Sequence, residues 1–529
     1  VSFDLVLRGG RVADGTGAPL RAVDVAVAGD ALTLLAPGAP AAATETADVT
    51  GAVVAPGFID THTHSDVATM LGAGTDELAH AAVRQGVTVE ICGNCGSAMF
   101  PVLPDHFPAL DRETRAGFGG TVGIFQNFEA FAVAHEAVPR ANHLVSLAGH
   151  GTLRAAVLGH ADRAATPDEL ATMCALLDAD LRAGAAGLST GLIYTPGTYA
   201  DTDEVVALAT VAARHGKPYV THLRDEMSRV EEALEEAVRI ARRSGAALHV
   251  SHHKTAGTYG FGRTERTLPR LAGLRAAGLD VTCDVYPYTA GSTSLSALLP
   301  PWANAGGVDA LMRRLADAGE RERMRRAIAE GVPGWENTVG NGGWDRISVA
   351  SATADPGLIG RTIAEVATER GLDPVDLVAE LLIAEAGEVT IISHSMREDD
   401  VRRVLTSPFT MIGSDGVPKP GLPHPRWAGT FPRVLGHYAR DLGLLSVETA
   451  VHRMTGLAAA RFGLTGRGVL RDGAHADLVV FDPATVGDRA TYTEPLLPPS
   501  GIERVLVAGR TVVRDGVVTG ERPGRMLRP

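Results

Sequence analysis

Residues 57–66 read GFIDTHTHSD. The apolar pair Phe58 and Ile59 runs into His62 and His64, and the period of two along a strand turns both imidazoles to one face. Two imidazoles at one strand end form a chelate for a metal ion. Downstream, apolar strands alternate with amphipathic helices, the order expected of βα units around a parallel sheet.

One unit shows the pattern clearly. Thr166, Pro167 and Glu169 supply an N-cap, a proline in the first turn and a capping-box carboxylate ahead of the periodic LATMCALLDADLRAG. A second helix starts near Asp201 and stops at Gly216 and Pro218, leading into a strand at 219–222. MSRVEEALEEAVRIARRSG forms a third helix, ended by Gly245, before strands at 247–252 and 281–286. A further strand at 410–413 closes the series. In a βα barrel the carboxyl ends of the strands form the active face, so histidines at those ends are read as chemical before structural.

The candidate strands outnumber the eight positions of a barrel, which assigns the surplus to an insertion near 297–350. Its arginine-rich LMRRLADAGERERMRRAIAEG reads as a solvated helix face. Both chain ends carry short alternating strands with glycine turns, LVLRGGRVADG at one and IERVLVAGRTVVRDGVVTG at the other. The expected architecture is α/β: a metal-dependent (β/α)8 TIM-like barrel over 57–464, with a small β-sandwich built from 1–56 and 465–529.

Composition narrows the function classes. The chain has 529 residues, 45% hydrophobic and 21% charged, with 61 glycines and 30 prolines scattered along it, which is globular enzyme composition. A net charge of −13 leaves no basic footprint for a polyanion, so nucleic acid is excluded as a partner. No apolar run approaches the roughly 20 residues of a membrane span, and the opening residues lack the pattern of a secretory signal. The expected location is cytoplasmic. Cys92, Cys95, Cys174 and Cys283 are too few for a disulfide framework in so long a chain, which leaves metal ligation or nucleophilic chemistry for any cysteine with a role.

Cys95 follows a strand in VTVEICGNCGSAM, inside a glycine-rich turn that lets its sulfur reach a metal above the barrel. A CxxC redox pair would need a helix N-terminus in a thioredoxin-like unit, whereas Cys92 sits in the strand. His222 and His252 end successive strands and bring two more imidazoles to the same rim. His253 competes with His252, but alternation places Leu248, Val250, His252 and Lys254 on one face, which favours His252. His150, in LAGHGTLR, reads equally well as a turn histidine or one that supports the ligands, and stays outside the ligand set. Asp415 follows the last strand and offers the carboxylate that hydrolysis beside a metal needs, taking a proton as water attacks and returning it to the leaving nitrogen.

Taken in order, HTH at 62–64, GNCG at 93–96, THLRDE at 221–226, SHHK at 251–254, DVYPY at 284–288 and IGSDG at 412–416 make a chain that resembles the amidohydrolase superfamily. Within it, GNCG with SHHK resembles the N-acyl-D-amino-acid deacylases. The resemblance covers nearly the whole chain, apart from a longer stretch between His64 and Cys95. It implies zinc: Cys95 takes the place of the carboxylated lysine of many relatives, with His222 and His252 completing a tight site. His62, His64 and Asp415 would then form a second, weaker one.

The resemblance also implies that Lys254, Tyr286 and Arg426 bind the α-carboxylate of an N-acyl-D-amino acid, and that Asp415 is the acid/base. Side-chain choice would rest on Leu295, Leu298, Leu299 and Trp302, with Ile193 and Met396. Family members that take acidic substrates carry an arginine in that segment, where this chain has Leu299 and none before Arg313. Neutral hydrophobic D-amino acids are therefore expected. The nearer alternative is a cyclic amidase of the hydantoinase or dihydroorotase kind, which usually shows the lysine bridge that GNCG replaces. The more distant one is a metal-free scaffold with the same fold, which stoichiometric metal would exclude.

Overall fold

The structure is a computed structural model that describes residues 2–66, 76–104 and 123–529. Part of the long stretch between His64 and Cys95 lies outside the described residues.

Eight parallel strands form the barrel: β1 (Phe58–Asp60), β2 (Val87–Cys92), β3 (His143–Ser146, resuming as Ala148–Gly149), β4 (Leu188–Gly191), β5 (Tyr219–His222), β6 (Leu248–Val250), β7 (Val281–Val285) and β8 (Thr410–Ile412). The break in β3 is a change of neighbour. Leu147 N donates to Cys92 O of β2, whereas Ala148 N donates to Gly187 O ahead of β4. Closure occurs at the active rim, where Asp415 N donates to His62 O at 2.7 Å and His64 N to Gly416 O at 2.9 Å. The loops that carry His62, His64 and Asp415 are thus tied to one another by backbone before any side chain acts.

Alternation fills the barrel. Ile59, Val89, Ile91, Val145, Leu147, Val220 and Met411 pack into one cluster with Phe462 and Leu464, each side chain contributing about 1.5–3 kcal/mol by burial. The outer helices follow their sequence signals. Thr166 and Glu169 form a reciprocal capping box on Pro167–Ala183, Asp201 caps Thr202–Arg214, and Gly245 ends Val230–Ser244 in the left-handed conformation at φ 76°.

Two sheets drawn from both chain ends form the sandwich. One is four-stranded, with Phe3–Arg8 at its centre. The other has seven strands, where Leu478–Phe481 pairs with Val53–Pro56 on one side and Ile502–Val507 on the other. Leu5, Leu7, Val25 and Val27 of the first face Val12, Val54, Leu478 and Leu506 of the second in a common core.

The excursion between β7 and β8 is longer than the expected 297–350. It has its own antiparallel sheet, Gly291–Ser294, Thr390–Ser393 and Ile347–Ser351, and its own apolar core. GSTS at 291–294 has no hydrophobic alternation, so the first edge of this sheet is silent in sequence. The arginine-rich stretch forms two helices, Val308–Ala316 and Ala318–Glu330, and is less solvated than expected. Arg321 and Arg325 pair with Asp376, and Arg323 covers the Trp302 ring at 3.7 Å. Among the described residues no helix is long and apolar enough to cross a membrane.

Candidate metal centre and active site

Three of the residues singled out from sequence sit in strained backbone. Cys95 (φ 53°), His252 (φ 32°) and Asp415 (φ 51°) all occupy the left-handed region that non-glycine residues rarely adopt. β6 ends at Val250, so strand alternation does not aim His252; the turn after the strand does. Gly96, at φ 75°, completes the tight turn that presents the Cys95 thiol, and a Cβ added there would come within 2.8 Å of Gly191 N.

The sulfur of Cys95 is the hub. It lies 3.3 Å from His62 Nε2, 3.4 Å from His252 Nε2 and 3.5 Å from His222 Nδ1. A sulfur and a nitrogen bound to one tetrahedral zinc, at about 2.3 and 2.05 Å, stand about 3.5 Å apart. The donors are therefore already spaced as the edges of a zinc coordination shell. Two groups share Cys95: His62, His64 and Asp415 with it on one side, His222 and His252 on the other, with the ligand atoms of each group within 4.8 Å of one another. The N and S donor set fits zinc.

The electrostatics favour a thiolate. Burial opposes ionisation of Cys95, but His62 and His252, with hydrogen bonds from His222 and His252, hold its thiol well below the usual range. Cys92 shows the opposite, its thiol pushed up by burial and by Asp66, and it forms no disulfide. For Asp415 burial is likewise outweighed, chiefly by Arg426, then His252 and His62, and the carboxyl stays well below its ordinary value. Its Oδ1 faces Nε2 of His62 and of His64 at 3.4 Å each.

Two carboxylates that sequence reasoning passed over stand behind the imidazoles. Glu226 places Oε1 3.1 Å from His252 Nδ1 and Oε2 3.4 Å from His222 Nε2, and it also accepts from Lys254 Nζ at 2.6 Å. Asp284 lies behind β1. Its Oδ2 is 2.8 Å from His249 Nε2 and 3.7 Å from His62 Nδ1, and its Oδ1 accepts the backbone N–H of His252. Such partners fix the orientation of ligating rings. Their signal was visible, Glu226 four residues past His222 in THLRDE and Asp284 opening DVYPY in the strand at 281–286, but neither was assigned a role.

Lys254, Tyr286 and Arg426 lie together. The Tyr286 ring carries Arg426 at 4.5 Å on its face and Lys254 at 5.7 Å. Burial pushes the Tyr286 hydroxyl up to about 12. Lys254 also lies 2.7 Å from His252 Nδ1. His253 is turned away, its Nε2 2.8 Å from Thr267 Oγ1. His150 opens the helix His150–Leu158 and contacts Glu204 at 2.8 Å, outside both metal-holding groups.

Two cavities meet at Asp415. The smaller, about 80 Å³, is lined among the described residues by Lys254 and Tyr286 with Ile193, Leu298 and Met396. The larger, about 390 Å³, opens on the side of His64, Cys95 and Arg426. Of the expected side-chain wall, Leu295, Leu299 and Trp302 are not among the described residues lining the smaller cavity. Leu295 and Leu299 are buried in the core of the excursion, because its short helical turn directs only Ala297 and Leu298 inward.

A parallel barrel whose rim gathers four histidines, a thiolate and a carboxylate is the frame of a metal-dependent hydrolase. The chain belongs to the amidohydrolase family, whose model matches residues 45–513, and within that family to the N-acyl-D-amino-acid deacylases. It is 42% identical over 526 residues to a D-aminoacylase of Alcaligenes xylosoxydans xylosoxydans, covering 99% of this chain and 97% of that one. A solved D-aminoacylase structure that addresses its binuclear metal centre matches with a TM-score of 0.84 at 40% identity over 100% of both chains. The N-acyl-D-glutamate deacylase of Bordetella bronchiseptica, solved with zinc and a phosphonate that mimics the tetrahedral intermediate, matches at 0.83 and 36% over 100% of both.

Proposed function

We propose that this protein uses zinc to hydrolyse the amide bond of N-acyl-D-amino acids with neutral hydrophobic side chains, releasing a carboxylate and the free D-amino acid. One observation carries the reading: the Cys95 sulfur lies within 3.3–3.5 Å of three imidazole nitrogens, with Asp415 beside them. Cys95, His222 and His252 would hold the tight ion, and His62, His64 and Asp415, sharing Cys95, a weaker one. Zinc held there supplies Lewis-acid polarisation of the amide carbonyl and acidifies water toward a pKa of about 7.

The residues of the chain do the rest. Lys254 and the Tyr286 hydroxyl take the α-carboxylate, with Arg426 on the other side of the ring completing a cationic face. Asp415 accepts the proton of the attacking water and returns it to the amide nitrogen as the C–N bond breaks. Glu226 holds the His222 and His252 rings so that no reorganisation is needed at that moment. With the carboxylate fixed and the carbonyl over Asp415, the side chain of a D-configured Cα would lie toward Ile193, Leu298 and Met396, which line the same cavity as Lys254 and Tyr286.

With Lys254 taken by the α-carboxylate, Leu298 leaves that cavity without the further cation that an acidic side chain would require. The experiment is a screen of N-acetyl and N-formyl D- and L-amino acids for amine release by zinc-loaded protein. Cleavage of D-leucine or D-methionine derivatives is expected. Preference for L-substrates, or for D-glutamate, would overturn the assignment.

A further inference from the structure

The two cavities that meet at Asp415 are unequal, and the difference concerns the half of the substrate that leaves as the carboxylic acid. An N-acyl-D-amino acid is a linear arrangement: carboxylate and side chain on Cα, then nitrogen, then the reacting carbonyl, then the acyl substituent. With the carboxylate at Lys254 and Tyr286, Cα and its side chain occupy the smaller cavity of about 80 Å³. The carbonyl sits over Asp415, which lines both cavities. The acyl substituent then has one direction left, into the larger cavity of about 390 Å³.

That volume is far more than an acetyl group uses. A methyl group is comparable to a water molecule, whose share of liquid volume is about 30 Å³, so the cavity exceeds the need of an acetyl methyl roughly tenfold. Most of its lining surface is apolar, from Met99, Val102, Ile124, Ala155, Pro196 and Val417, interspersed with hydroxyls such as Thr152 and Ser294, and His64, Cys95 and Asp415 mark the reacting end. Beside Arg426, Lys419 is the one lysine or arginine among the described lining residues. A mostly apolar pocket beside a polar reacting centre gains binding for each methylene it covers.

We infer that the preferred acyl group is a medium-chain aliphatic one, of about six to ten carbons, bound in this cavity, and that acetyl is a poor substitute. The inference rests on the deacylase reading above. Each buried methylene contributes about 0.8 kcal/mol, close to a fourfold change in affinity. Since the clamp and the reacting centre are the same for all acyl groups, the gain appears in kcat/KM.

The test compares N-acetyl-, N-butanoyl-, N-octanoyl- and N-(7-carboxyheptanoyl)-D-leucine with the zinc-loaded enzyme. Expected is a rise in kcat/KM of at least thirtyfold from acetyl to octanoyl, carried mainly by a falling KM. Ala155→Phe, which narrows the cavity, should lower kcat/KM for the octanoyl substrate at least tenfold more than for the acetyl one. Met99→Trp serves the same purpose if the first variant does not fold. A flat or falling dependence on chain length, with N-acetyl-D-leucine readily cleaved, overturns the inference while the deacylase reading stands. Preference for the ω-carboxylated chain overturns the apolar assignment in favour of an anchor at Lys419. Failure to cleave any D-substrate overturns the deacylase reading itself.

Discussion

Nη1 of Arg426 lies 2.9 Å from Oδ2 of Asp415, and the guanidinium is only 1% exposed. The arginine that sequence resemblance assigned to substrate thus also holds the proposed proton carrier, leaving Oδ1 free to face His62 and His64. Asp415→Asn keeps the volume and removes the base. Turnover should fall by about 10²–10⁴-fold or more, with zinc at the site proposed for Cys95, His222 and His252 retained. Paired kcat and metal analysis checks this, and activity near that of the unmodified enzyme would sink the role.

Cys95 is shared by both groups of metal-holding residues, so its loss should affect metal before chemistry. Cys95→Ala leaves His222 and His252 as a two-nitrogen site, short of the three protein ligands that catalytic zinc ordinarily keeps. Zinc should fall well below one per chain after dialysis, and kcat/KM by more than a hundredfold. Retention of stoichiometric zinc in this variant would mean that Cys95 is not a ligand.

Lys254 contacts Glu226 at 2.6 Å while facing the cavity proposed for the α-carboxylate. A charge-assisted hydrogen bond contributes about 1.5–3 kcal/mol, so Lys254→Met should lower kcat/KM for N-acetyl-D-leucine about ten- to a hundredfold, mostly through KM. An N-acetyl amine that lacks the carboxylate should be indifferent to the change. Equal losses on both compounds, or loss of zinc, would make Lys254 a support for Glu226 and His252 and nothing more.

The barrel was legible because its units obey local rules: a side-chain N-cap before Pro167–Ala183 and Thr202–Arg214, a glycine at or just past the end of these helices and of Val230–Ser244, an apolar strand next. The histidines were legible because strand ends are where such a barrel displays chemistry. Glu226 and Asp284 were not, because they reach His252 from 26 and 32 residues away in sequence, and the pairing of Arg426 with Asp415 joins a helix start to a loop; periodicity carries no such information. The positive φ of Cys95, His252 and Asp415 was hidden for a related reason. Glycine marks such turns in a sequence, whereas these residues are held there by the surrounding backbone, with Asp415 N bonded to His62 O and His253 N bonded to Asp284 O. The excursion misled most. Its edge strand GSTS is polar, and its leucines serve its own core more than the cavity.

Away from the site, Asp180 gives a prediction about stability. Its carboxyl accepts from Phe128 N at 2.8 Å through Oδ1, while Oδ2 is buried without a partner. Burial pushes its pKa up to about 7, and the single backbone hydrogen bond offsets this only in part. The unfolded chain has an ordinary aspartate near 3.9. The folded state therefore holds the proton more tightly, so the contribution of Asp180 to stability is complete below about pH 4. It is lost as pH rises toward 7, and is constant above that. Asp180→Asn keeps an acceptor for Phe128 N and cannot ionise. Its stability relative to the unmodified protein should rise by on the order of 2 kcal/mol between pH 4.5 and 8, read as the difference between the two proteins in denaturant midpoint or Tm. A difference that does not change across that range would show that Asp180 titrates as it would in water.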